Sequence, residues 1–248
     1  MRLILTILLF LKLGLVLGQP INYFVPPEII KVGKTISSFV PDGWTIVDST
    51  KGDLNGDHKL DVAFVIKSKD SLITYSFNEF EGEQRVNRMY TEKYPRSILI
   101  IAFSNTTKDS LNLIEQSNSM IHARIGLNTK IEIENNLLKI EYNSFGSAYN
   151  HSSNYNYYFS YQNKQFLLNK FDSFTQEYEW TEFCVIDFIS KIFVLTKGNV
   201  NLGNPTTVWK KNVGKPATVW KNIDDIEPKT MKEFSEPGHW YIANGIMI

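Results

Sequence analysis

The sequence predicts a mainly β fold, with antiparallel sheets arranged as a sandwich or a propeller-like meander and one or two short helices. Three observations carry that prediction. Two runs, Val62-Ala63-Phe64-Val65-Ile66 and Ser97 to Phe103, are almost continuously apolar and have the length and β-branched content of strands buried on both faces. Elsewhere side chains alternate with a period of two, so that Tyr155, Tyr157, Phe159 and Tyr161 fall on one face of a strand and Asn154, Asn156, Tyr158 and Ser160 on the other. Turn-forming residues, among them Pro41-Asp42-Gly43 and Asn135-Asn136, separate these segments.

Of 248 residues, 43% are hydrophobic and 13% aromatic, enough for one domain with a substantial core. Lys plus Arg equals Asp plus Glu at 26 each, so no basic surplus points to nucleic acid or an anionic membrane. Met1-Arg2 followed by the apolar run Leu3 to Leu17 has the form of a secretory signal, with cleavage expected after Gly18. An uncleaved anchor is disfavoured because the run contains Lys12 and falls short of the ~20 residues that span a bilayer. The expected organisation is therefore a signal peptide at 1–18 and a single β-rich domain at 19–248, with room for a C-terminal extension from near residue 199. The implied location is secreted or periplasmic, with no stable transmembrane anchor after cleavage. One cysteine, Cys184, cannot form an intrachain disulfide, and its apolar neighbours mark it as a small buried filler rather than a nucleophile.

In chain order, Glu28 to Phe39 is expected to hold a brief helix weakened by Gly33. Trp44 to Val47 reads as the first strand, and Val62 to Ile66 as the centre of a sheet. Lys67 to Arg96 is polar and charged, and is expected to be a long surface connection with one edge strand at Leu72 to Phe77. Ile131 to Glu134 and Leu137 to Tyr142 flank Asn135-Asn136 as a β-hairpin. The aromatic strand at 155–161 turns through Gln162-Asn163-Lys164 into Phe166 to Phe171. Glu177 to Thr181 and Val185 to Thr196 are read as strand on β-branched and aromatic content, although Phe183 to Leu195 also has helical spacing. A short repeat, Pro205 to Lys210 and Pro216 to Lys221, suits edge positions, where proline's missing N–H is harmless. Its Trp209 and Trp220 are read as covering the core, with a sugar platform as the rival reading.

The most specific stretch is Gly52-Asp53-Leu54-Asn55-Gly56-Asp57-His58-Lys59-Leu60-Asp61. Calcium takes six to eight oxygens, and a short loop supplies them when alternate residues point inward. Asp53, Asn55 and Asp57 stand at the first, third and fifth positions, the Lys59 carbonyl at the seventh and Asp61 at the ninth. Leu54 and Leu60 are expected to turn toward the core. A helix-flanked calcium loop would also need a glutamate at the twelfth position, where this chain has Phe64. The sixth position favours positive φ and is occupied by His58, which weakens the expected affinity to ~10⁻⁴–10⁻³ M. The rival reading is an Asx-rich turn stabilised by its own hydrogen bonds without an ion.

This loop, with Phe39 to Trp44 before it and Val62 to Ile66 after it, resembles the strand-flanked Asp-x-Asx-x-Asp-Gly-x-x-Asp loops of FG-GAP and VCBS-type repeats, and a group of secreted bacterial proteins carrying one such loop. The resemblance implies calcium binding by an exported β-rich protein and supplies no catalytic residue.

Catalytic patterns are not evident. His58, His122, His151 and His239 are far apart, with no pair at metal-ligand spacing, and neither a nucleophile elbow nor a phosphate-binding or dinucleotide glycine motif occurs. Glu177, Glu179 and Asp187 sit in strand-like segments where a solvated face accounts for them. The sequence thus leads to an exported calcium-binding structural or interaction module without catalysis, its partner an unidentified protein or glycan. The alternative is a carbohydrate-active protein, either a glycan binder using Trp209, Trp220 and the tyrosine strand or a hydrolase.

Overall fold

The computed structural model describes residues 25–69, 72–81, 84–93, 95–121, 127–146, 151–177, 180–199, 217–223, 226–234, 241–243 and 246–247. The expected signal segment and the first copy of the repeat, with Trp209, lie outside them. The strands in chain order are β1 (Val32–Gly33), β2 (Trp44–Gly52), β3 (Asp61–Ser68), β4 (Leu72–Glu81), β5 (Gln84–Lys93), β6 (Ser97–Asn105), β7 (Ser110–Ser117), β8 (Leu127–Glu134), β9 (Leu137–Gly146), β10 (His151–Gln162), β11 (Gln165–Glu177), β12 (Trp180–Asp187), β13 (Ile192–Asn199), β14 (Ala217–Asn222), β15 (Tyr241–Ala243) and β16 (Ile246–Met247).

Two antiparallel sheets dominate, one with the order β1-β7-β6-β3-β2 and the other a meander, β8 to β14. The first sheet is apolar on both faces. Ala63, Val65, Leu99, Ile101 and Phe103 point into a large core shared with Ile140, Tyr142, Tyr157, Phe159 and Phe171 of the second sheet, which makes the pair a sandwich. Val62, Phe64, Ile66, Ile98, Ile100 and Ala102 point the other way, into a smaller core closed by Ile29 and Phe39. This explains why β3 and β6 read as unbroken apolar runs: each alternates between two cores rather than between core and water.

The aromatic strand behaves as its period of two requires. Tyr157 and Phe159 are buried in the large core, with Tyr155 and Tyr161 packed against it. Tyr142 and Tyr157 meet edge to face at 5.5 Å. The strand is therefore core on its tyrosine-rich face. Tight turns close the hairpins: Asn135 and Asn136 have φ of 51° and 62°, and Asn163 and Lys164 have φ of 50° and 65°, the mirror-image geometry that matches strand twist. Phe183 to Leu195 is two strands, β12 and β13, paired antiparallel.

Two expectations need correction. Lys67 to Arg96 is not a loop with one strand but a hairpin, in which Leu72 pairs with Lys93 and Glu81 with Gln84. Charge did not prevent the second strand, because the backbone ladder satisfies N–H and C=O groups whatever the side chains carry. Residues 28–39 form no full helix; Val32–Gly33 instead pairs with β7, and only a 3-10 turn follows at Ile36–Phe39. A Cβ at Gly33 would lie 2.7 Å from Ser38 Cβ and 2.9 Å from the Phe39 ring, so the glycine allows Phe39 to fold back as a plug.

The second copy of the repeat is β14, at the edge of the seven-stranded sheet, with Trp220 opposite Val194. Residues 226–234 return to the large core through Met231 and Phe234. The Phe234 ring stands edge to face with Tyr157 at 5.2 Å. Cys184 is a free, buried thiol that burial, first of all, pushes up to about 12, so it is a thiol and not a thiolate at neutral pH. No helix among the described residues is long and apolar enough to cross a membrane.

Candidate metal centre

The acidic loop joins β2 to β3, two antiparallel neighbours, and the pair Gly52↔Asp61 closes it. The chain must reverse within residues 53–60, which it does by entering the left-handed region at Gly56 (φ 78°) and His58 (φ 61°). Histidine thus adopts the conformation that the sixth position demands, at a cost of about 1–2 kcal/mol relative to an unstrained residue.

Side-chain oxygens gather the loop's backbone donors. Asp53 Oδ1 accepts from Gly56 N–H at 2.7 Å and Oδ2 from His58 N–H at 2.8 Å. Asn55 Oδ1 accepts from Asp57 N–H at 2.9 Å, and Asp57 Oδ1 from Lys59 N–H at 3.0 Å. Desolvation works against ionisation of Asp53, yet the N–H groups of His58, Gly56, Asp57 and Asn55 together hold its carboxyl below the ordinary value. The His58 ring lies outside, with Nδ1 3.7 Å from Asp53 Oδ2, and Lys59 Nζ pairs with Asp57 Oδ2 at 3.1 Å.

Asp61 differs from the other three. It is fully buried, and its two oxygens accept from Leu54 N–H and Ser104 N–H, each at 3.0 Å. Burial, as the largest influence, raises its carboxyl above the ordinary value; the Ser104 and Leu54 hydrogen bonds oppose this, and the charges of Asp57 and Asp53 add to it. Ser104 also donates its hydroxyl to the Leu60 carbonyl. Asp61 therefore ties the start of the loop, its end and strand β6 together.

Leu54 is buried in the large core, as expected. Leu60 is not: it is 65% exposed. Strand alternation supplies the reason. Asp61 takes the inward position that begins β3, and its neighbour Leu60 is left outside.

The donor set fits a hard cation in its chemistry. Every candidate side chain offers oxygen, and a carboxylate has about four lone-pair sites, so one N–H bond on each oxygen does not exhaust its capacity. The structure brings Asp53, Asn55, Asp57 and Lys59 into one turn and sets Asp61 behind them as the anchor. Among the described residues no three His, Cys, Asp or Glu groups already converge as a set for a metal.

Ser104, 43 residues beyond Asp61, was invisible to the sequence reading because nothing local marks a strand serine as a loop clamp. Of the acids considered for catalysis, Asp187 caps a turn, with Oδ1 accepting from Ile189 and Ser190 N–H, each at 2.9 Å. Glu179 lies outside the described residues. Comparison of the chain with protein-family models, with curated proteins and with solved structures gives no match.

Proposed function

We propose that this chain is an exported, non-catalytic β-sandwich module in which Asp53, Asn55, Asp57, Asp61 and the Lys59 carbonyl take calcium, as the resemblance to FG-GAP and VCBS-type loops implies, and that the ion's role is structural. The observation that carries this reading is the backbone of the loop. Positive φ at both Gly56 and His58 winds alternate oxygen-bearing residues around one turn, while Asp61 fixes that turn to Leu54 and Ser104. A cation there neutralises clustered carboxylates at the entry to β3 and stiffens the joint between the sheets.

The test is calorimetric titration of residues 19–248 with calcium chloride, paired with thermal melts in calcium or chelator. With a dissociation constant of ~10⁻⁴–10⁻³ M, about a hundredfold excess of free calcium over that constant stabilises the fold by about 2.7 kcal/mol. Asp57→Ala abolishes the shift. A melting midpoint that stays put when calcium is raised to about a hundredfold over that constant sinks the proposal and leaves the loop as a self-sufficient Asx turn.

A further inference from the structure

On the outer face of the five-stranded sheet, Ile29 and Phe39 pack against Phe64, Ile66, Ile98 and Ile100. At the end of the sheet beside the acidic loop, a cleft of about 380 Å³ opens between the sheet and Lys34-Thr35-Ile36. Register places its sheet-side lining on one face, since Lys51 pairs with Val62 and Ser104 with Leu111. This size falls within the range of small-molecule sites.

Two features decide what the cleft can hold. Lys34 and Lys51 line it, and among the described residues neither side chain makes an ion pair or a hydrogen bond; Asp109 is the one carboxylate in the lining. Two ammonium groups against one carboxylate leave the lining with a surplus positive charge. Finally, Ile36, Leu60, Val62 and Leu111 form an apolar wall, and it is here that the exposed Leu60 stands. Among the described residues no aromatic ring lines the cleft, so the stacking that sugar rings favour has no platform there.

We propose that this cleft is a binding site for a small aliphatic carboxylate, whose charged end meets Lys34 and Lys51 while its chain lies along Leu60, Ile36 and Leu111. Charge-assisted hydrogen bonds orient the head, and apolar contact selects for the tail. The inference does not rest on calcium.

The test is an NMR titration of ¹⁵N-labelled residues 19–248 in chelator, with sodium hexanoate as probe and hexanamide as its neutral control. Hexanoate produces saturable shifts centred on the amides of Lys51, Val62, Ser110 and Leu111, and hexanamide does not. The double variant Lys34→Ala/Lys51→Ala keeps its spectrum, since both side chains are on the surface, and binds hexanoate at least about tenfold more weakly. The site is refuted if no saturable shift appears at these amides, if hexanamide binds as well as hexanoate, or if the double variant binds like the parent.

Discussion

The backbone N–H of Ile131 donates to the Asp48 carboxylate at 3.0 Å, and through this bond the edge strand of one sheet takes hold of the edge strand of the other. Two residues further along, Ile133 N–H donates to Thr50 Oγ1 at 3.2 Å. Strand β8 thus satisfies outward N–H groups with side chains of β2 instead of a backbone ladder, which covers an edge that would otherwise invite pairing with another chain. Asp48→Ala is expected to destabilise the protein by about 1–3 kcal/mol, because a partly buried N–H loses its acceptor. Urea denaturation measures it. A loss below about 0.5 kcal/mol would show that water replaces the carboxylate freely.

The same joint constrains Gly52. A Cβ there would stand 2.4 Å from Ile133 Cγ2 and 3.0 Å from its Cβ, so the strand needs glycine for room. Gly52→Ala should cost about 1–3 kcal/mol through overpacking. If the clash is the cause, Ile133→Ala in the same chain recovers part of that loss, and a double-mutant cycle shows a coupling of about 0.5 kcal/mol or more. Additive losses would place the strain elsewhere.

His58 offers the opposite prediction. Its φ of 61° strains a histidine and suits glycine. His58→Gly relieves about 1–2 kcal/mol of backbone strain while increasing the entropy of the unfolded chain by about 0.5–1 kcal/mol, so a net gain of about 0.5–1 kcal/mol is expected in chelator. Glycine should also tighten calcium binding. A lower melting point for the variant would contradict the loop geometry.

Asp61 sets a pH dependence with a definite sign. Its folded carboxyl is raised above the ordinary 3.8, chiefly by burial, so the native state binds its proton more tightly than the unfolded state. That contribution is fully present below 3.8 and is lost as pH rises through the folded value. Asp61→Asn removes it, and its amide –NH2 must face either Leu54 N–H or Ser104 N–H, which costs roughly 1–3 kcal/mol. In chelator, the parent's advantage over Asp61→Asn therefore narrows as pH rises from about 4, then levels off. An advantage that widens instead means that the two N–H bonds outweigh burial. Asp53, whose carboxyl is held low, contributes in the reverse sense: its share is present above its unfolded value and lost as pH falls through the folded one.

Cys184 gives a simpler check. With the thiol buried and its pKa raised to about 12, a disulfide reagent at neutral pH should modify it only as fast as the protein opens. Modification at the rate of a free thiol would overturn the buried assignment.

Local pattern was enough for most strands, for both asparagine and lysine turns, and for the left-handed His58. Each of these follows from rules acting within a few residues: alternation, apolar runs, or φ > 0 in a tight reversal. The second strand of the 72–93 hairpin was missed because its signal is masked by charge, and Leu60 was misplaced because one step of alternation decides inside from outside. The short strand at Val32–Gly33 left no signal of its own, since two residues have no period.

By itself, then, the sequence determined a β-rich chain with an oxygen-lined loop ahead of a strand buried on both faces, because those properties are written in adjacent side chains. Only the tertiary structure decided that Asp61 turns inward to Leu54 and Ser104, that Asp48 and Thr50 fasten the second sheet, and that Lys34, Lys51 and Ser110 share a cleft. These groups lie up to 83 residues apart in the chain. Their meeting depends on strand order and register, which no local pattern encodes.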